Sequence, residues 1–207
     1  MEPITYFYAA HSAYAYLGSA RFYAIAQNAG RTIEHRPIDL NRVLKAVGST
    51  AFADRPDHYR QHFFHREIQR WSEYRDAPVG GRPTYHHHDI TLPNCMLVAG
   101  VIDGQNMDVL AHRILEAHWR YDADHADPDT LKRLADEAGY DGDRLLAAAH
   151  QDDTKAAYER FTEEAIQHCV FGSPTYRVDG DLFYGQDRLE MIERALERPF
   201  ATEWSGP

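Results

Sequence analysis

The sequence predicts an α/β fold in which one sheet is assembled from both ends of the chain around a helical middle. Three observations carry this. Ile4 to Ala9 (Ile-Thr-Tyr-Phe-Tyr-Ala) is a continuous apolar and aromatic run, as a strand buried on both faces requires. Residues 170–189, Val-Phe-Gly-Ser-Pro-Thr-Tyr-Arg-Val-Asp-Gly-Asp-Leu-Phe-Tyr-Gly-Gln-Asp-Arg-Leu, read as a proline-fronted hairpin running into a helix. From about residue 50 to residue 168, helical patterns replace β-rich runs.

After the first strand, Ser12 stands where a helix N-cap belongs. Good helix formers follow from Ala13 to Ala29, with Tyr14, Leu17, Phe22 and Ile25 roughly on a helical period, and Gly30 closes the helix. Thr32 to Ile38 is the second strand, so the first forty residues form a β-α-β unit with a right-handed crossover. Arg60 to Tyr74 puts Phe64, Ile68 and Trp71 on one face, with Phe63, Arg70 and Tyr74 beside it. Asp76 to Pro93, with three Pro and two Gly, reads as a loop. Leu97 to Trp119 is helical with a break near Gly104, and Asp127-Pro128 starts a helix that Gly139 stops. Arg144 to His150 and Thr154 to His168 add further helices.

The hairpin strands are Thr175 to Val178 and Leu182 to Tyr184, and Asp179-Gly180 supplies the positive φ angles of a tight turn. Pro174 lacks a ladder donor and fits only at a strand's start or on an edge, where a proline is often cis. Gly185 ends the hairpin and Asp187 opens the last helix. Such an ending is that of a thioredoxin-like fold. The expected organisation is a thioredoxin-like fold with an inserted all-helical domain: residues 1–50 as its β-α-β half, 51–168 as the insertion, and 169–207 as its β-β-α half.

A chain of 207 residues can bury one good core. Its 22 basic against 32 acidic side chains give a net charge of −10, which argues against nucleic acid or an anionic membrane as partner. Positions 1 to 20 carry no Lys or Arg and no run reaches transmembrane length, so a cytoplasmic protein is expected. Cys95 and Cys169 form no close-spaced pair and read as small buried residues. His58, His62 and His65 recur at helical spacing and His86, His87 and His88 are consecutive. Neither group has Cys or carboxylate partners at ligand spacing, so no metal is expected and these read as solvated or hydrogen-bonded surface histidines.

The active site of a thioredoxin-like fold lies at the N-terminus of the first helix, beside the loop that carries the proline. Here the helix opens with Ser12-Ala13-Tyr14-Ala15. Disulfide exchange needs a thiolate there and this stretch has no Cys, so the usual exchange mechanism is excluded. A serine can still donate to an external sulfur, and free N–H groups at a helix N-terminus favour a thiolate over a thiol. Glutathione is the obvious soluble thiol. Ser12 can equally be an N-cap alone.

The run Tyr6-Phe-Tyr-Ala-Ala-His-Ser-Ala-Tyr-Ala-Tyr-Leu17, the segments Glu67 to Trp71 and Leu92 to Ala99, and above all Phe171-Gly-Ser-Pro-Thr175 and Gly185-Gln-Asp-Arg-Leu189, together resemble one family. It is the 2-hydroxychromene-2-carboxylate isomerase family, related to kappa-class glutathione transferases in the disulfide oxidoreductase superfamily. The resemblance spans essentially the whole chain. It implies a glutathione-dependent isomerase, acting on an unsaturated aromatic 2-oxo acid or its cyclic hemiketal, and a homodimer. By position, Ser12 matches the serine against the glutathione sulfur, and Ser173, before Pro174, the residue whose main chain pairs with the cysteinyl part. Gln186 and Asp187 match the pair at the γ-glutamyl end, although Asp187 also reads as a helix N-cap. Tyr14 and Tyr16 are substrate-pocket or core residues. Departures are Ala13 where the family has Pro, Arg55 or Arg60 in place of a family Lys, and Ser49 nearest a family Asn. The rival readings are a kappa-like glutathione transferase or peroxidase and a non-redox binding protein.

Overall fold

The structure, a computed structural model, describes residues 2–50 and 54–201. The expected domain junction at residue 51 and the final residues of the 169–207 segment lie outside the described residues. Strands β1 (Ile4–Tyr8), β2 (Ile33–Pro37), β3 (Thr175–Val178) and β4 (Asp181–Tyr184) form one sheet in the order β2-β1-β3-β4. β1 runs parallel to β2, with Tyr6 opposite His35, and antiparallel to β3, with Tyr6 opposite Tyr176. The two ends of the chain therefore share a sheet, as their apolar runs predict.

Helix α1 (Ala13–Asn28) crosses from β1 to β2, and Gly30 follows it at φ 65°. The β3–β4 turn has both central residues at positive φ, Asp179 at 49° and Gly180 at 94°, the combination a two-residue hairpin turn needs. Between the halves come α2 (Leu40–Ala46), α3 (Asp57–Gln61), α4 (Glu67–Arg75), α5 (Thr91–Ile102), α6 (Asp108–Tyr121), α7 (Pro128–Glu137), α8 (Gly142–Ala149) and α9 (Asp152–Gln167). Helix α10 (Leu189–Glu197) closes the fold.

Alternation along β1 sends side chains to both faces of the sheet. Ile4, Tyr6 and Tyr8 join a core that continues through α1, α5, α6, α7 and α8, whereas Phe7 packs with Ile38, Val43, Ala165 and Val170. The helical segment and the sheet thus share one large core. Its centre is a stack of rings, with Tyr6 4.2 Å from Tyr8 and 5.3 Å from Tyr176.

Several local expectations are corrected. The stretch after Asp39, a loop by its sequence pattern, is helical: the Asp39 carboxylate accepts from Asn41 N and Arg42 N and starts α2. α5 begins at Thr91 and takes in Pro93, since the first turn of a helix has no use for that N–H. A π-turn, His62–Arg66, joins α3 to α4 and leaves Phe63 and Tyr74 exposed, while Ile68 is buried. Cys95 is buried, and burial raises its thiol pKa to about 11, but Cys169 is half-buried. No helix among the described residues is long and apolar enough to cross a membrane.

Candidate functional site

The loop from β1 into α1 is clamped from three sides. Ala9 N donates to Ser173 Oγ at 3.1 Å, and Ala10 N donates to Asn94 Oδ1 at 2.9 Å. Trp119 Nε1 donates to the His11 carbonyl at 2.9 Å. Asn94, fully buried on α5, also donates to Ile38 O and Tyr158 Oη, so one amide ties β1, β2 and α9 together. Replacing Asn94 with alanine strands these groups without partners, and a loss of about 2–3 kcal/mol in urea unfolding is expected.

Ser12 sits at the end of this loop. Its Oγ accepts from Ala15 N at 3.2 Å, capping α1, and donates to the Ser173 carbonyl at 3.1 Å. The Ser173-Pro174 peptide bond is cis. The cap satisfies only one first-turn donor. Ala13 and Tyr14, whose N–H groups precede any intrahelical acceptor, line a cavity of about 750 Å³ beside Ser12 and Ser173.

Arg55 lines the same cavity. Its guanidinium donates to Thr50 O at 3.0 Å, Tyr59 Oη at 2.6 Å and Ser49 Oγ at 2.8 Å, and stacks over the Tyr59 ring. Every one of these partners is neutral. Among the described residues no carboxylate pairs with Arg55, so its charge faces the cavity uncompensated. On the hairpin side, Gly185 at φ 97° leads into a 3₁₀ turn, Gln186–Arg188. A Cβ on Gly185 would fall 2.3 Å from Asp187 Oδ1, so only glycine lets that carboxylate take its place. Gln186 is buried, and Arg75 holds it through both its Oε1 and its carbonyl, each at 3.0 Å. Its side-chain NH₂ is left unengaged among the described residues.

The remaining wall is histidine. His11 and His86 line the cavity, their ring centres 5.0 Å apart, and behind them stand the buried His118 and His125. Burial, reinforced by the neighbouring imidazoles, lowers His86 to about 4 and His118 to about 3, and lowers His11 and His125 as well. Unfolded, these rings take a proton near 6.5. Between that value and about 4 the unfolded chain binds more protons, so stability is full above pH 6.5 and falls as pH drops. Urea unfolding at pH 7.5, 6.5 and 5 is expected to show a steady loss; equal stability at all three would contradict neutral burial. Among the described residues no group of three His, Cys, Asp or Glu is arranged to hold a metal ion.

A family model described as the DSBA-like thioredoxin domain matches residues 3–197. The chain belongs to the DSBA-like thioredoxin domain family. It is 28% identical to the 2-hydroxychromene-2-carboxylate isomerase of Sphingobium xenophagum over 198 residues, 94% of this chain and 98% of that one. Solved structures share the fold. A 2-hydroxychromene-2-carboxylate isomerase superposes with a TM-score of 0.78 at 24% identity, over 94% of each chain. A probable DsbA oxidoreductase from Streptomyces coelicolor gives 0.74 at 18% identity, over 100% of this chain and 93% of that one.

In this DSBA-like domain, Ser12, Tyr14, Arg55, Ser173, Gln186 and Asp187 meet at one cavity, and Pro174 stands directly behind Ser173. Ser49 holds Arg55 and does not line the cavity. Arg60 lies outside the lining and pairs with Asp57. Tyr16 is a core residue: it is 2% exposed, its hydroxyl donates to Pro78 O, and burial raises it to about 12. Tyr14 donates to the Phe63 carbonyl at 2.7 Å and so fastens the π-turn to the cavity rim. Asp187 does not cap α10, because the 3₁₀ turn intervenes and the carboxylate pairs with Arg188 instead. Of the two expected states, solvated or hydrogen-bonded, His86 takes the second: half-buried, its Nδ1 lies 3.0 Å from His118 Nε2. Asn94, Arg75 and His11 carry no local sequence signal, since their contacts span tens of residues, and His118 joins its near neighbours Ala123 and His125 to the distant His86.

Proposed function

We propose that the protein binds glutathione and isomerises an unsaturated aromatic 2-oxo acid or its cyclic hemiketal, of the kind named for its 2-hydroxychromene-2-carboxylate isomerase relatives. The observation that carries this reading is a serine hydroxyl at the N-terminus of α1, against the Ser173 carbonyl, with no cysteine at Ser12-Ala13-Tyr14-Ala15. A site of that make-up suits a thiol supplied from outside.

The residues present fit the tripeptide. Ser12 Oγ offers its proton to the sulfur once it turns from Ser173 O. Ala13, unlike a proline, keeps an N–H at the first helical position, so Ala13, Tyr14 and the helix dipole stabilise negative charge at the same point. Asp187 is an acceptor for an ammonium group, the Gln186 NH₂ is a donor for a carboxylate, and Arg55 is an uncompensated cation for a second carboxylate. Held by these residues, glutathione would supply a nucleophilic thiolate for reversible addition at the carbon conjugated with the carbonyl, the chemistry a cis–trans isomerisation needs. Trp71, Phe64 and Trp119 line the same cavity and give an aromatic substrate apolar walls. A cytoplasmic homodimer belongs to this reading.

Calorimetry with glutathione, followed by chromatography of a 2-hydroxychromene-2-carboxylate reaction, tests the proposal. Saturable binding and an isomer formed without consumption of glutathione are expected. Release of a glutathione conjugate would make the protein a transferase instead, and no binding at millimolar glutathione would leave a non-redox binding protein.

A further inference from the structure

Resting on that reading, we infer that His86 Nε2, beside His11, forms a subsite that reads a neutral hydroxyl, a phenol or hemiketal O–H, on the aromatic part of the substrate. The assignment follows from which nitrogen must carry each proton. His118 Nδ1 lies 3.2 Å from the Ala123 carbonyl, which can only accept, so the His118 proton sits on Nδ1. His118 Nε2 is then a lone pair, and His86 Nδ1, 3.0 Å away, must be the donor to it. His125 agrees with this arrangement: its Nε2 donates to His88 O at 3.4 Å, so its Nδ1 is a lone pair that shares the single His118 Nδ1–H, 3.2 Å away, with the Ala123 carbonyl. One backbone carbonyl thus sets the tautomers of three rings.

The consequence appears at the cavity. His86 Nε2 is left as a lone pair with no partner among the described residues, on a ring that lines the wall. His11 offers the complement. Its Nδ1 is sealed from solvent without a partner, and a stranded lone pair costs less than a stranded N–H, so the proton belongs on Nε2. A donor and an acceptor on rings 5.0 Å apart match an O–H, which gives and takes one hydrogen bond each. The ring of Trp119, 5.2 Å from His86, provides an edge for the aromatic part. A phenolate or carboxylate at the same place would set lone pair against lone pair. The low basicity of His86 and His118 keeps the wall uncharged at neutral pH. His118 is a positioning residue here, since it acts only through His86.

Nitrogen-15 spectra of histidine-labelled, ligand-free protein at pH 7 test the tautomers directly, without reference to activity. His86 is expected to be protonated on Nδ1 and bare on Nε2; protonation on Nε2 overturns the inference. The probes for the subsite are 2-hydroxycinnamate and cinnamate. The wild type is expected to bind the hydroxy acid about fivefold more tightly and to shift the His86 Nε2 resonance. That preference should vanish in His86→Phe and in His118→Leu, and return in His118→Gln, whose amide oxygen can still accept from His86 Nδ1. Circular dichroism confirms folding of each variant. Equal affinity for the two acids in the wild type, or no binding of either, overturns the subsite. Wild-type glutathione affinity, measured in the same series, judges the glutathione reading separately.

Discussion

Replacing Ser12 with alanine is expected to lower glutathione-dependent isomer formation by about 10²–10³-fold, the usual loss when one preorganised donor to a developing anion is removed. The same change removes the α1 cap to Ala15 N and the clip to Ser173 O, at a cost of about 1 kcal/mol in stability. These effects separate experimentally. A cap lost alone lowers the unfolding midpoint and leaves the bound thiol as acidic as before. Loss of the sulfur's donor raises the pKa of bound glutathione, read from the ultraviolet absorbance of its thiolate across a pH titration. Ser12→Thr, which keeps a hydroxyl, should restore much of the rate. Unchanged turnover in Ser12→Ala would sink the mechanism and leave Ser12 as an N-cap.

What could be read from the sequence was set by short-range physics. Tyr6 and Tyr176 announce adjoining strands because β-prone runs need no partner to be recognised, and Asp179-Gly180 announces a turn through its backbone preference alone. The positions of Ser12, Ser173 and Asp187 beside element ends were legible because those elements are locally determined, whereas the roles of Ser173 and Asp187 rest on the family resemblance. Their partners were not. Asn94 reaches Ala10 across 84 residues, and Gln186 is held by Arg75 across 111, so nothing near either residue signals the contact. Helix α2 is short enough that only the Asp39 cap marks it. The histidines show the limit most clearly. A run at 86–88 suggests solvated or hydrogen-bonded surface rings, and the partners that settle which, His118 and through it the Ala123 carbonyl, stand more than thirty residues away.

The Arg55 charge leads to the second large effect. A guanidinium that, among the described residues, donates to a carbonyl, a phenol and a serine hydroxyl and pairs with no carboxylate has its geometry fixed, so an incoming carboxylate meets a preorganised cation. Arg55→Leu is therefore expected to weaken binding of whichever carboxylate it meets, that of glutathione or of substrate, by about 10- to 100-fold, as for loss of a hydrogen bond to a charged group. Calorimetry with glutathione and the KM for substrate tell the two carboxylates apart, since only one of them should move strongly. Arg55→Lys keeps the charge but cannot reach Thr50 O, Tyr59 and Ser49 together, so it should fall between wild type and leucine. Ser49→Ala should weaken the same ligand by only a few fold, because it loosens one of three supports and leaves the charge in place. If Arg55→Leu changes neither constant, the carboxylate is met by Arg188, another cation that lines the cavity, whose pairing with the exposed Asp187 is readily exchanged for a ligand.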